Sequence, residues 1–226
     1  MKYPPVVPAV FLRRPNRFIA HVLLEGQETV CHVKNTGRCR ELLVPGALVY
    51  LQPADNPKRK TAWDLIAVQK GERLINMDAA APNAVFGEWL RSGGLGFVPN
   101  KVRPECVHGD SRFDFSFEHD DRRCFAEVKG VTLEENGVAR FPDAPTERGV
   151  KHLRGLIRCV EEGCEAYAVF VVQMRGVQHF EPNRETHPAF AAALRDAGDA
   201  GVHLLALDCE VTPDSLRIAE PVPIRL

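Results

Sequence analysis

The feature that most constrains this 226-residue chain is a change of pattern near residue 81. Before it, apolar residues recur at every second position in short runs cut by turn residues. Residues 17–24 alternate through Phe18, Ala20, Val22 and Leu24 and stop at Glu25-Gly26-Gln27. Residues 29–33 follow at hairpin distance, 48–52 come after Pro45-Gly46, 63–69 after the basic turn Asn56-Pro57-Lys58-Arg59-Lys60, and 74–77 last. Five strands at this spacing predict a small all-β barrel. After residue 81 the grammar differs. Ala81-Pro82-Asn83 opens a helix over 84–92, ended by Gly93-Gly94, and strands cover 103–108, 112–117 and 124–129. A loop rich in glycine, proline and acid leads to a helix over 147–162, with Val150, Leu153, Ile157 and Val160 at helical spacing and Thr146 as N-cap. Apolar runs at 166–173 and 202–208, separated by a helix over 188–200, read as strands covered on both faces. The expectation is a two-domain α+β chain: a β-barrel over 1–81, then a mixed-sheet α/β domain over 82–226.

Composition removes several classes. At 45% hydrophobic and 26% charged residues the chain is neither disordered nor fibrous. No apolar run reaches the ~18 residues of a membrane span, and the first residues lack the apolar core of a secretory signal, so neither a membrane partner nor export is expected. Seven cysteines with no CxxC pair exclude a zinc ribbon and a thioredoxin-type motif and predict reduced thiols in a cytoplasmic protein. The absence of GxxxxGK[ST] and GxGxxG disfavours a nucleotide cofactor. Self-association into a homo-oligomer is left open.

The net charge of −1 conceals an asymmetry: residues 1–60 carry +6 and the remainder −7. A positive end attracts a polyanion, while acidic residues elsewhere can hold a metal. A five-stranded barrel with cationic loops fits an OB-like fold, which grips single strands in a charged groove. The segment Val33-Lys34-Asn35-Thr36-Gly37-Arg38 is a polar basic loop whose glycine frees the backbone to present amides and cations to phosphate. Arg13, Arg14, Arg17, Lys58, Arg59 and Lys60 add to the same field. The bland alternative for all of them is a solvated turn.

The chemistry concentrates between Glu105 and His152. In Ser111-Arg112-Phe113-Asp114-Phe115-Ser116-Phe117, strict alternation puts the three phenylalanines on one face and Asp114 on the other. On the next strand Glu127 and Lys129 share a face, so Asp114, Glu127 and Lys129 are expected to converge. Oxygen ligands from Asp114, Glu127 and the Val128 carbonyl suit Mg²⁺ or Mn²⁺, with Glu105 as a third acid. Such a cation polarises a phosphodiester and acidifies an attacking water, while Lys129 steadies developing charge. The constellation Asp114 … Glu127-Val128-Lys129 resembles the PD-(D/E)XK nuclease core. The alternative is a surface row of ion pairs. Pro142-Asp143 is not the motif acid, because it follows Glu127-Val128-Lys129 instead of preceding it, and is expected to serve the turn before the helix. Thr146, Arg148, Lys151 and His152 sit at a helix start, where backbone amides and cations attract phosphate; Arg112 adds a cation beside the acids.

Several blocks together resemble the sugar fermentation stimulation protein A family: Lys34-Asn35-Thr36-Gly37-Arg38, Pro45-Gly46, 56–61, 111–115, 127–133 and 141–153. The resemblance runs nearly end to end. It implies an N-terminal OB-like domain, a C-terminal PD-(D/E)XK nuclease-like domain, DNA binding, and a role in regulating sugar (maltose) metabolism genes. Asp114, Glu127 and Lys129 fall on the nuclease-like positions. Three readings follow: a metal-dependent deoxyribonuclease acting on DNA largely without regard to sequence, a DNA-binding transcription regulator retaining the scaffold, and a small-molecule enzyme using the acidic cleft.

Overall fold

The computed structural model describes residues 1–56 and 58–226, so Pro57 of the basic turn lies outside the described residues. Strands β1 (Val7–Asn16), β2 (Ile19–Leu24), β3 (Gln27–Val33), β4 (Leu48–Pro53) and β5 (Trp63–Lys70) form a ring. Neighbours run antiparallel around it except β3 and β5, which close the ring in parallel through His32↔Asp64 and Val33↔Leu65. This is the five-stranded barrel of an OB-fold. Closure is stapled by Asp64, which accepts from His32 Nδ1 at 3.0 Å and from Arg59 Nη1 and Nη2 at 3.0 and 2.7 Å.

The five expected strands omit β1 and count β6 (Arg73–Asn76), which pairs with β5 outside the ring. Register shifts at Phe11/Arg13 and Arg13/Asn16 erase the alternation of β1, and Pro8 argues against a strand. The proline is tolerated because it lies in the stretch paired only with β4; pairing with β2 begins at Val10.

The remainder is built from α1 (Ala81–Arg91), β7 (Asn100–His108), β8 (Ser111–His119), β9 (Arg122–Val131), β10 (Leu133–Glu135), β11 (Val138–Phe141), α2 (Glu147–Glu161), β12 (Glu165–Val172), β13 (His179–Pro182), α3 (Pro188–Asp199), β14 (His203–Thr212) and β15 (Ser215–Pro221). Its main sheet has the order β15-β14-β12-β9-β8-β7. β7, β8 and β9 are antiparallel, whereas β9, β12 and β14 are parallel, with α2 and α3 as the crossovers. Helix α1 packs on one face with Phe115, Phe117 and Val128. Helices α2 and α3 cover the other, and their buried side chains are continuous with the barrel interior.

Helix α1 begins three residues before its expected start because Pro82 stands in the first turn, where a missing N–H costs nothing. The acid- and glycine-rich loop before α2 contains the β10–β11 hairpin, which pairs with β13 in a separate three-stranded sheet. These strands, three or four residues long and set among glycine, proline and acidic residues, carry too little pattern to be read from sequence. Contacts of high sequence separation tie this part to the barrel. Gln173 on the main sheet's side donates to Asn76 Oδ1 at 3.0 Å, and Lys70 and Arg73 pair with buried Glu134 at 2.8 and 2.9 Å.

Candidate active site

The β8–β9 ladder runs from His119↔Arg122 to Phe115↔Ala126. Beyond it the Asp114 side chain substitutes for the main chain: its Oδ2 accepts from the Val128 amide at 2.8 Å. Strict alternation fails at this point. Phe115 and Phe117 pack with α1 and Tyr167, while Phe113 packs on Phe125 and against Gly155 of α2. The three phenylalanines therefore do not share a face, contrary to the period-two expectation. The break at Asp114 is what turns its carboxylate toward β9. Amide and carbonyl of one strand residue point to the same edge, so the Val128 carbonyl faces Asp114 as well.

Asn83, in the first turn of α1, donates to Asp114 Oδ1 at 2.9 Å. On β9, Glu127 is buried and its Oε1 is bonded by both Lys129 Nζ and His152 Nδ1. His152 Nε2 accepts from Arg148 Nε at 3.3 Å, which assigns the ring proton to Nδ1. Glu127 Oε2 is buried and has no hydrogen-bond donor among the described residues. Burial, reinforced by the charge of Glu127, holds the Asp114 carboxyl above its usual range. Burial would raise Glu127 too, but the His152 and Lys129 contacts outweigh it and hold that carboxyl below its usual range.

This donor set suits a hard divalent cation. An orphaned carboxylate oxygen, a second carboxylate and a carbonyl are the oxygen ligands Mg²⁺ and Mn²⁺ prefer. Among the described residues no group of three or more His, Cys, Asp and Glu is arranged to hold a metal. Glu105 is not drawn in: its side chain is 67% exposed and lies 3.6 Å from Arg112. The reason is local, since Glu105 takes a left-handed backbone conformation (φ 51°) on edge strand β7.

The expected phosphate-binding residues separate into two groups. Arg17, Arg38, Lys58, Lys60, Arg148 and Lys151 are exposed. The others have internal work. Lys34 pairs with Asp78 and Arg59 with Asp64; Arg112 is exposed like the first group and lies 3.6 Å from exposed Glu105. Asn35 Oδ1 accepts from the Gly37 amide at 2.7 Å, and Thr146 Oγ1 accepts from the Gly149 amide at 3.0 Å as the N-cap of α2. His152 is not on a solvated helix face; it turns inward to Glu127. Lys151 Nζ donates to the Asp110 carbonyl at 3.0 Å. Asp143 joins the two parts of the chain by accepting from the Arg38 amide at 2.9 Å.

Two residues escaped sequence reasoning. Asn83 carries no signal until topology brings α1 over β8. Arg14 was visible only as one charge among many, yet its guanidinium donates to the carbonyls of Arg17, Asn35, Gly37 and Arg38 at 2.7–3.0 Å and so builds the basic loop.

Fold and site together define a two-part protein: an OB barrel followed by a mixed-sheet α/β domain, with a carboxylate–lysine cluster on adjacent strands. Residues 12–77 match the family described as the SfsA N-terminal OB domain, and residues 80–215 match the sugar fermentation stimulation protein RE domain. The chain belongs to the sugar fermentation stimulation protein family. It is 54% identical over 226 residues to a homolog from Clostridium beijerinckii, covering 100% of both chains. It is 56% identical to one from Desulfitobacterium hafniense strain Y51, covering 100% of this chain and 99% of the relative. Among solved structures, Pyrococcus furiosus SfsA in complex with Ca²⁺ superposes with a TM-score of 0.90 at 27% identity, covering 100% of this chain and 98% of that one. Among the described residues, no helix is long and apolar enough to cross a membrane.

Proposed function

We propose that the protein binds DNA, largely without regard to sequence, and cleaves its phosphodiester backbone at a divalent-cation site formed by Asp114, Glu127 and the Val128 carbonyl. The observation that carries this reading is the unpartnered, buried Oε2 of Glu127 beside Asp114, with Lys129 on the other oxygen of the same carboxylate. A buried anionic oxygen without a donor is costly unless something else satisfies it. The relative from Pyrococcus furiosus forms a complex with Ca²⁺, a hard cation with the same ligand preference.

Bound Mg²⁺ or Mn²⁺ would supply Lewis acidity and an acidified water. The chain's own residues do the rest. Asn83 and the Val128 amide fix both Asp114 oxygens, His152 and Lys129 hold Glu127 Oε1, and Lys129 would steady negative charge growing on the scissile phosphate. Exposed Arg17, Arg38, Lys58, Lys60, Arg148 and Lys151 hold the backbone by charge, which carries no base preference.

A regulator that binds without cutting is the second reading. The observation favouring it is that Lys129 and His152 already engage Glu127 Oε1, and that among the described residues no third acid joins the pair. Incubating purified protein with labelled single- and double-stranded DNA in Mg²⁺, Mn²⁺ or EDTA separates the two. Cleavage in the metal lanes alone supports the nuclease; binding with no cleavage in any lane supports the regulator.

A further inference from the structure

We propose that the cleft between β1, the loop over residues 36–45 and Ala144 binds one unpaired nucleotide unit of a single strand, its phosphate held by Arg17, Arg38 and Arg40. This rests on the DNA-binding reading above and names what that reading leaves open: the form of nucleic acid, and where its unpaired part sits.

The cleft measures about 670 Å³ and is lined by five arginines, Arg13, Arg14, Arg17, Arg38 and Arg40, with no carboxylate among its described lining residues. The neighbouring cleft of about 750 Å³ shares Arg38 and Arg40 with it, but there the arginines are interleaved with Glu41, Glu135, Asp143, Glu181 and Glu185. Two of the five guanidiniums are committed to hydrogen-bond partners, and Arg17 lies over the Phe18 ring at 4.9 Å. Arg13 pairs with Glu28 at 2.6 Å, and Arg14 is spent on the four loop carbonyls. Among the described residues Arg17, Arg38 and Arg40 have no carboxylate partner. Arg17, Arg38 and Arg40 thus line one concavity that holds no carboxylate, and guanidiniums match phosphate oxygens in paired geometry.

The remaining lining narrows the ligand. Leu12, Leu43 and Pro45 give the cleft apolar walls, which a free phosphate or a duplex backbone would leave unused. An unpaired nucleotide uses both: its phosphate meets the arginines, and its base lies on the apolar wall or stacks on a guanidinium plane. In a duplex the bases are stacked inside the helix and cannot enter. The loop is held for this purpose before any ligand arrives, by Arg14 from the barrel side and by Asp143 on the Arg38 amide from the other. Binding therefore costs little ordering. Ala144, two residues before the N-cap of α2, contributes from the second part of the chain, so a strand seated here lies against the segment that leads into the helix carrying His152.

The test measures binding by fluorescence anisotropy in EDTA, which prevents cleavage, with a twelve-nucleotide oligothymidylate and a duplex of equal length. Arg38→Ala/Arg40→Ala is expected to weaken oligothymidylate binding tenfold or more and duplex binding less than threefold. Lys58→Ala/Lys60→Ala is expected to weaken both alike. Both pairs are exposed, and circular dichroism confirms folding; the single variant Arg40→Glu gives an independent check, with a larger selective loss per site. Adding a 5′-phosphate to the oligonucleotide distinguishes a strand end from an internal unit: tighter binding that Arg38→Ala/Arg40→Ala abolishes places an end in the cleft, and no change places an internal nucleotide there. Equal losses for both DNA forms, or none, overturn the cleft while leaving DNA binding intact. A wild type that binds neither form refutes the DNA reading itself, and the cleft with it.

Discussion

Replacing His152 by leucine keeps a side chain of similar bulk in the interior of α2 but removes the donor that holds Glu127 Oε1. Glu127 then depends on Lys129 alone, and its free Oε2 loses a fixed direction. A hydrogen bond to a buried charged group is worth about 1.5–3 kcal/mol. If that energy orients the carboxylate for a cation, its loss corresponds to about 10–100-fold in affinity, the range found when outer partners of metal ligands are removed. Isothermal titration of the free protein with Mn²⁺ reads this without any reference to cleavage. His152→Asn, whose amide places an N–H near the position of Nδ1, is expected to recover most of the affinity; a merely structural histidine would give no such recovery. Equal Mn²⁺ affinity for wild type and His152→Leu would refute the positioning argument.

Other consequences follow from packing and linkage. Gly155→Ala gains about 1 kcal/mol of helix propensity, but the new methyl would stand 2.6 Å from Ser111 Oγ and 3.1 Å from Phe113 Cζ. The net effect is expected to be destabilising by about 1–2 kcal/mol in urea unfolding, whereas a loose α2–β8 contact would give stabilisation. Glu134 is buried, which opposes its charge, yet hydrogen bonds from Lys70 and the Gly137 amide hold its carboxyl below the usual range. A lowered folded value contributes stability above the unfolded pKa and loses it as pH falls through the folded one. Glu134→Gln is thus expected to unfold more easily at pH 7 but to flatten the acid side of the stability curve below about pH 4.5, near the unfolded glutamate value, as read by thermal melts across pH. Removing Lys58 and Lys60 together is expected to lower the salt slope of DNA binding by about one to two, one phosphate contact per cation; an unchanged slope would place those cations off the DNA path.

How much of this was legible beforehand depended on how local the cause was. The helices and the strands holding Asp114 and Glu127 were readable, because period and caps are local: Thr146 does cap α2, and Val150 and Leu153 are buried as their spacing required. Strand β1 was not, since its bulges hide the alternation that identifies a strand. The fate of the cations was the least legible part. Lys34 and Arg59 look like Lys58 and Lys60 in sequence, but Asp78 and Asp64, brought in by tertiary folding, claim the first two. For His152 the helical register pointed inward, because it shares a face with Leu156 and Cys159, both buried. Its proximity to Glu127, twenty-five residues away, required the crossover geometry.

The central claim is that Asp114, Glu127 and Lys129 cut DNA that other residues hold. The most direct measurement pairs two readouts on Glu127→Gln: DNA affinity in EDTA and single-turnover cleavage in Mn²⁺. The cluster should act on charge that develops in the transition state, so its loss should fall on turnover. The expected result is affinity equal to or slightly tighter than wild type, because a negative charge near phosphate is removed, with cleavage abolished. Cleavage persisting at the wild-type rate in Glu127→Gln would contradict the account.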